Sequence, residues 1–412
     1  MDRIAVVYDL GSAGVMDIAA ALENFATPVF VCPDSTDPSQ PKELMNEFGI
    51  LCDITGLDLG QAVERIRDYN PKGIVTFSEH QLGHTADLAQ ELGLAFHSPH
   101  TVQYLTQKHV QRTILNSIGA SSVMTRIVED KESALRAFEE VGAPSVLKPN
   151  QGSGSRSTYP IRSVEDLVRA CGEIFPRSAL GRSELFVLEQ EMDGVAPGAA
   201  WGDYVSVETA VHDHEITHLE VTGKFPLAEP FRETGSFMPA ALSMAEREDV
   251  LEVASLALKA LGVRHGVCHT EVKLTERGPQ VIEVNGRLGG RVHELLADSK
   301  GINAIEIAVR IAMGDTGIMR NVGASPRRRV SFLYAKLPPL EATRMVRIEG
   351  TGNLQLRPEI SRVIVHQEPG HNLDWRDGRL GNTYVCYGAT QTHEDLSSLI
   401  ADIEETVRVT YE

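Results

Sequence analysis

Two glutamates, an asparagine and an arginine recur within HTEVKLTERGPQVIEVNGRLGG, from His269 to Gly290. Their spacing can bring them together. The segment reads as two short strands joined by a turn at Arg277-Gly278. Strand side chains alternate between faces, so Glu283, Asn285 and Arg287 are expected on one face. Glu271 can meet Glu283 from the neighbouring strand. Two carboxylates and an amide oxygen form an all-oxygen donor set, which suits Mg²⁺. An arginine beside that set suits phosphate or carboxylate. Together these residues point to nucleoside triphosphate chemistry.

A second group lies upstream. The loop NQGSGSRS follows a strand ending in Lys148-Pro149. Gly152, Ser153 and Gly154 let the backbone approach a phosphate chain and turn its N–H groups inward, with Lys148 as a point charge. The lysine precedes the glycines and the loop leads into a strand, so this is not a P-loop. A surface hairpin loop is the competing reading. Taken singly, Lys108 reads better as an ordinary solvated lysine, and Glu189-Gln190-Glu191 as a charged strand end. Gly11-Ser12-Ala13-Gly14 is GxxG and reads as a tight turn after the first strand, not a dinucleotide fingerprint. His212 and His214 read as a turn pair with no third metal ligand.

The elements that must position these groups are legible in outline. Strands at 3–10, 27–33, 73–79 and 94–99, alternating with helices, indicate a parallel βαβ unit over the first hundred residues. Residues 101–142 read as helical with a break at Gly119. Strands follow at 185–192 and in YVSVETAV and EITHLEVTGKF, an antiparallel pair turning at His212-Asp213-His214. Helices are expected at 243–261 and 302–313. After a loop at 314–326, RVSFLYAKL and SRVIVHQ read as strands and HEDLSSLIADIEETVRVT as a closing helix.

Composition limits the function classes. The chain has 412 residues, enough for two or three domains, and 42% hydrophobic and 23% charged residues, as in ordinary globular proteins. A net charge of -18 argues against general affinity for nucleic acid or anionic membrane. The five cysteines include no CxxC pair and are widely spaced, which favours a reduced, cytoplasmic compartment over a disulfide framework. The N-terminus lacks a signal-peptide core, and no apolar run reaches membrane-spanning length.

In order and spacing, residues 104–313 resemble the ATP-grasp ligases. The resemblance implies an α/β and α+β architecture in three parts. These are a Rossmann-like N-terminal domain (1–103), an ATP-grasp domain (104–313) with a lid at about 145–192, and a C-terminal α+β domain (314–412). It implies ATP as substrate, with Mg²⁺ or Mn²⁺. By resemblance, Lys108 and Lys148 are the ATP lysines, and Gly152, Ser153 and Gly154 form the phosphate loop. Glu189, with the backbone of Gln190 and Met192, holds adenine. Glu271, Glu283 and Asn285 are the metal ligands. Arg287 contacts the reacting phosphate or carboxylate. VTGKFPLAEPFRETGSFMPAAL, with Lys224 and Glu233-Thr234-Gly235, is similar to the L-amino acid ligase subgroup, which implies that Glu233 holds a substrate ammonium. Two departures stand out. The loop DGVAPGAAWGD is long, leaving Asp203 as the ribose candidate, and Arg291 follows Gly289-Gly290 where a small residue is common. The activity implied is carboxylate–amine ligation through an acyl phosphate by a homodimer acting on an amino acid and an amine. Bicarbonate activation, as in biotin carboxylase, and a non-catalytic ATP-binding regulator are the other readings.

Overall fold

The computed structural model describes residues 1–34, 41–178, 184–315, 317 and 329–412. The polar turn expected after the second strand lies partly outside these residues, and the loop at 314–326 lies largely outside them.

The chain opens with β1 (Asp2–Val7), β2 (Ala26–Cys32), β3 (Ile50–Asp53) and β4 (Ile74–Val75), a parallel sheet in the order β3-β2-β1-β4. Its strands are short apolar runs buried on both faces, as parallel sheets require. Two expectations are corrected. Ile50–Asp53 is a strand beyond the four expected ones, and Leu94–Pro99 is not a strand. That segment is used differently, because buried His97 donates from Nε2 to the Gly286 carbonyl at 3.0 Å.

β5 (Thr125–Val128), β6 (Ser145–Pro149), β7 (Tyr159–Ile161) and β8 (Phe186–Gln190) form a second, antiparallel sheet in the order β5-β8-β6-β7. β5 falls inside the stretch expected to be helical. It is an edge strand with Arg126 and Ile127 exposed, so its sequence carries little apolar alternation, and pairing with β8 decides its conformation.

The largest sheet has eight strands. β9 (Tyr204–His212), β10 (Glu215–Lys224), β11 (Gly235–Met238), β12 (His265–Lys273), β13 (Gln280–Asn285) and β14 (Val330–Lys336) belong to it. β15 (Met345–Glu349) pairs instead with β18 (Arg408–Tyr411), so the last residues of the expected closing helix form a strand and the helix itself is His393–Thr406. β16 (Ile360–Val365) and β17 (Tyr384–Thr390) complete the order β13-β12-β9-β10-β11-β14-β17-β16. β14, β16 and β17 therefore extend the central sheet, while β15 and β18 form a separate two-stranded sheet. The β9–β10 turn carries positive φ at Asp213 (46°) and His214 (69°), the left-handed geometry of a tight hairpin turn.

Helices Val292–Lys300 and Ala304–Ala312 link the sheets. Their Leu295, Leu296, Ile305 and Ile311 share one buried cluster with Ile4, Val6, Ile18 and Leu22 from the first unit and Leu333 and Tyr387 from the large sheet. Among the described residues, no helix is long and apolar enough to cross a membrane. All five cysteines are buried and free.

Phe332 on β14 is buried among Phe225, Phe237, Leu396 and Ile403, where the sheet meets the closing helix. Phe332→Ala should lower unfolding free energy by about 3–5 kcal/mol in urea titration. A loss below about 1 kcal/mol would contradict the continuity of the sheet through β14.

Candidate active site

β12 and β13 pair antiparallel, with Glu271 directly opposite Glu283 and His269 opposite Asn285. The two glutamates therefore stand at facing positions of the hairpin. Arg287 lies in the bend beyond β13 and not on the strand, but its NH2 donates to Asn285 Oδ1 at 3.3 Å, which keeps it beside the group. Glu283 carries Lys108 at 3.2 Å. Lys108 also donates to the Gly152 carbonyl at 2.7 Å, which brings the start of helix Lys108–Ser117 against the glycine-rich loop.

β13 is the edge of its sheet, and helix Lys108–Ser117 covers that edge with side chains. Gln111 donates to the Val284 carbonyl (2.9 Å) and accepts from the Val284 N–H (2.8 Å). Arg112 donates to the carbonyls of Val281 (2.7 Å) and Ile282 (2.6 Å). Lys108 and Arg112, read from sequence as an i,i+4 pair on one helix face, thus do different work. Lys108 faces the carboxylates, and Arg112 is buried and binds the edge.

Arg112 also meets Glu189 at 3.2 Å, and Lys148 meets the other oxygen of Glu189 at 2.6 Å. Burial opposes ionisation of Glu189, yet the two cations outweigh it and hold its carboxyl down to about 2. This side chain is committed to Arg112 and Lys148, and the Gln190 N–H is committed to the Met124 carbonyl at 2.9 Å. Met192 follows β8 and is half-buried.

Gly152 and Gly154 have φ of 124° and 72°, which glycine adopts without strain. The loop they shape is backed by a later segment. The Ser157 N–H donates to the Arg376 carbonyl at 3.1 Å, Trp375 meets Tyr159 edge-on at 5.2 Å, and Arg376 reaches Glu173. A Cβ on Gly378 would come within 2.2 Å of the Gly154 carbonyl oxygen.

Several charged groups at the site were given no role in the sequence reading. His269 donates from Nδ1 to Glu208 on β9 at 2.9 Å, and its Nε2 stands 3.5 Å from Glu271. Glu208 also accepts from Ser206 and Thr222. Burial disfavours the charged imidazole, but Glu208 outweighs it and holds His269 up to about 9. Burial likewise opposes ionisation of Glu271, and His269 overcomes it, keeping that carboxyl below its usual range. Lys224 is buried, pairs with Glu233 and stands 5.7 Å over the Tyr204 ring. Glu233 accepts from Ser236 at 3.3 Å. Glu79, in the turn after β4, meets Arg287 Nε at 2.9 Å, and burial holds its carboxyl above the usual range. Its position at the carboxyl end of a parallel strand, where open α/β sheets place ligands, was the available signal. Asp203, the ribose candidate, pairs with Lys273 at 2.7 Å.

Among the described residues, no group of three or more His, Cys, Asp and Glu is placed to hold a metal. The donor set here is two opposed carboxylates and an amide oxygen. That fits a hard cation whose remaining ligands come from phosphate and water.

Residues 141–294 match the family described as ATP-grasp domain. That stretch thus resembles an ATP-grasp domain, and the fold is the one shared by the solved structures named below. It is similar to carnosine synthase 1 of Homo sapiens, at 28% identity over 271 residues, covering 61% of this chain and 32% of that protein. It is similar also to the alanine–anticapsin ligase of Bacillus subtilis (strain 168), at 25% identity over 300 residues, covering 70% of this chain and 59% of the relative. The chain thus spans less than two thirds of either relative's length. The crystal structure of an L-amino acid ligase from Bacillus licheniformis superposes with a TM-score of 0.77 at 19% identity, covering 100% of this chain and 99% of that one. A biotin carboxylase domain from Hydrogenobacter thermophilus, solved with MgADP and bicarbonate, gives 0.70 at 17% identity, covering 100% and 91%.

The folded pKa of His269, about 9, exceeds its ordinary 6.5. Its pairing with Glu208 thus contributes stability that is complete below about pH 6.5 and lost as pH rises through about 9. Melting temperature should fall across this window, and Glu208→Gln should remove most of the slope. Parallel profiles for the two proteins would contradict the charged pair.

Proposed function

We propose that this protein is an ATP-dependent ligase that joins an amino-acid carboxylate to an amine or a second amino acid, releasing ADP and phosphate. The observation that carries the reading is the direct opposition of Glu271 and Glu283 on β12 and β13, with Asn285, Arg287 and Lys108 around them. The related ligases named above support the choice of reaction.

The chemistry must gather two anions, a triphosphate and a carboxylate. Lys108 and Lys148 are assigned to the phosphates, and the N–H groups of Gly152, Ser153 and Gly154 to the phosphate chain. Arg287, steadied by Glu79, is assigned to the oxygens that gain charge in the transition state. Glu271, Glu283 and Asn285 would hold Mg²⁺, which would supply positive charge to offset that of the phosphates. Glu233, fixed by Lys224 and Ser236, receives the substrate ammonium. A carboxylate oxygen attacks the γ-phosphorus, the bond to the ADP oxygen breaks, and an acyl phosphate forms. The amine then attacks the acyl carbon, phosphate leaves with the bonding electrons, and the nitrogen loses a proton. The acyl phosphate has to be kept from water. The 145–192 segment, backed by Trp375–Gly378, is the lid that we assign to this task. We retain the division at 103/104 and 313/314 as the set of working units, with the third contributing strands to the sheet of the second. Adenine contacts are assigned to Glu189 with the backbone of Gln190 and Met192.

ADP release that requires both an amino acid and an amine, with an amide product by mass spectrometry, is the expected result of a substrate matrix. Release driven by bicarbonate alone would overturn the reading. Glu283→Ala and Arg287→Ala should each abolish ADP formation with the fold retained by circular dichroism, since one preorganised donor commonly supplies about 2.7–4 kcal/mol. Turnover at the wild-type rate in either variant would remove that residue from the site. Lys148→Ala should raise the Kd for ATP, and an unchanged affinity would contradict its phosphate role.

A further inference from the structure

A second cationic group stands where the Arg287 loop enters helix Val292–Lys300. Arg291 begins that helix with φ of 63°, a left-handed conformation that non-glycine residues rarely hold and that concentrates at functional sites. The loop leading to it is fixed against the buried charges, because a Cβ on Gly289 would come within 2.4 Å of His269 Nδ1. Arg291 meets one oxygen of Glu294 at 3.1 Å, and Arg362 from the edge strand β16 takes the other. Arg362 lies 4.0 Å over the Tyr387 ring. Tyr387, Glu294 and Asp17 all act on the Arg291 charge, and Arg291 in turn acts on His366.

Two guanidiniums thus share the Glu294 carboxylate, and Asp17 acts on Arg291 as a further anion. Their side chains are 40% and 45% exposed, so both can accept a further partner. His293 stands in the same first helical turn, nine-tenths buried, with its Nε2 3.6 Å from Asp17. Planar guanidiniums bind compact oxyanions in paired hydrogen bonds, and the helix N-terminus adds favourable N–H groups. Arg291 follows Arg287 by four residues, so their Cα atoms are at most about 14 Å apart.

We propose that Arg291 and Arg362 form an anion subsite that reads a second acidic group, a carboxylate or phosphonate, on the substrate whose own carboxylate reacts near Arg287. The proposal rests on the ligase reading above. The acidic group displaces part of the hold of Glu294 on the two arginines. The selected substrates are therefore acidic amino acids and their phosphonate counterparts rather than the matching amides.

The test compares glutamate with glutamine as the carboxylate substrate of the full chain, with alanine as the amine. It reads KM and kcat by ADP release, and glutamate binding by calorimetry with MgADP present. The expected wild-type preference is at least about tenfold in KM for glutamate, as charge-assisted hydrogen bonds commonly give. Arg291→Gln and Arg362→Gln should erase it. Glu294→Gln should strengthen glutamate binding, which a purely structural Arg–Glu–Arg tie would not produce. Ligation without acid-over-amide preference, unmoved by these variants, would overturn the subsite and leave the ligase reading standing. Glutamate binding that Arg291→Gln abolishes, with no ADP release from any pair in the matrix, would support the subsite and overturn the ligase reading. An aspartate and phosphonoalanine arm tells the two acidic chemistries apart, and failure of all three acids to bind would also overturn the subsite.

Discussion

Two carboxylates directly across from each other on neighbouring strands repel, and the pairing of Glu271 with Glu283 is the constraint that the rest of the site answers. Each is met by a cation from elsewhere in the chain. Lys108 reaches Glu283 from the helix that covers the sheet edge, and His269 stands beside Glu271 on the same strand. The like-charged pair is thus held in its folded geometry before any further positive charge arrives. Such preorganisation makes it a ready acceptor for a divalent ion and the phosphates that accompany it.

The cations need holding in turn, and the fold uses buried partners for this. Glu208 keeps His269 charged, and Glu189 takes Arg112 and Lys148. Buried ion pairs incur a large desolvation cost and stabilise weakly for their number, but removing one member strands its partner. Their value here is positional. Arg112 joins the β13 carbonyls to Glu189 on β8, so the edge of the large sheet and the strand beside the glycine-rich loop are tied through one guanidinium. Arg287 is similarly tied to the first sheet through Glu79, and Asn285-Gly286-Arg287 through the His97 bond to Gly286.

Much of this was legible in the chain. The β12–β13 hairpin follows from alternation and a Gly-containing turn, and the opposition of its glutamates follows from the hairpin. Lys108, Lys148 and the glycine-rich loop could be singled out by their order. Other features depend on tertiary contacts that periodicity does not encode. Thr125–Val128 is a strand because β8 pairs with it, and Leu94–Pro99 is not one because no neighbour does. Glu189 taken alone reads as a charged strand end, whereas its two cationic partners lie at positions 112 and 148. His269 and Glu208 are 61 residues apart and meet only across β9 and β12. The extension of the large sheet by β14, β17 and β16 was hidden in the same way, since strand order cannot be read from strand existence.

The most direct test of this account is a crystal structure of the chain with Mg²⁺ and a non-hydrolysable ATP analogue. The account predicts the cation at about 2.0–2.1 Å from carboxylate oxygens of both Glu271 and Glu283, with Lys108 turned toward phosphate. A cation bound away from these two side chains, with Lys108 still paired to Glu283, would contradict it.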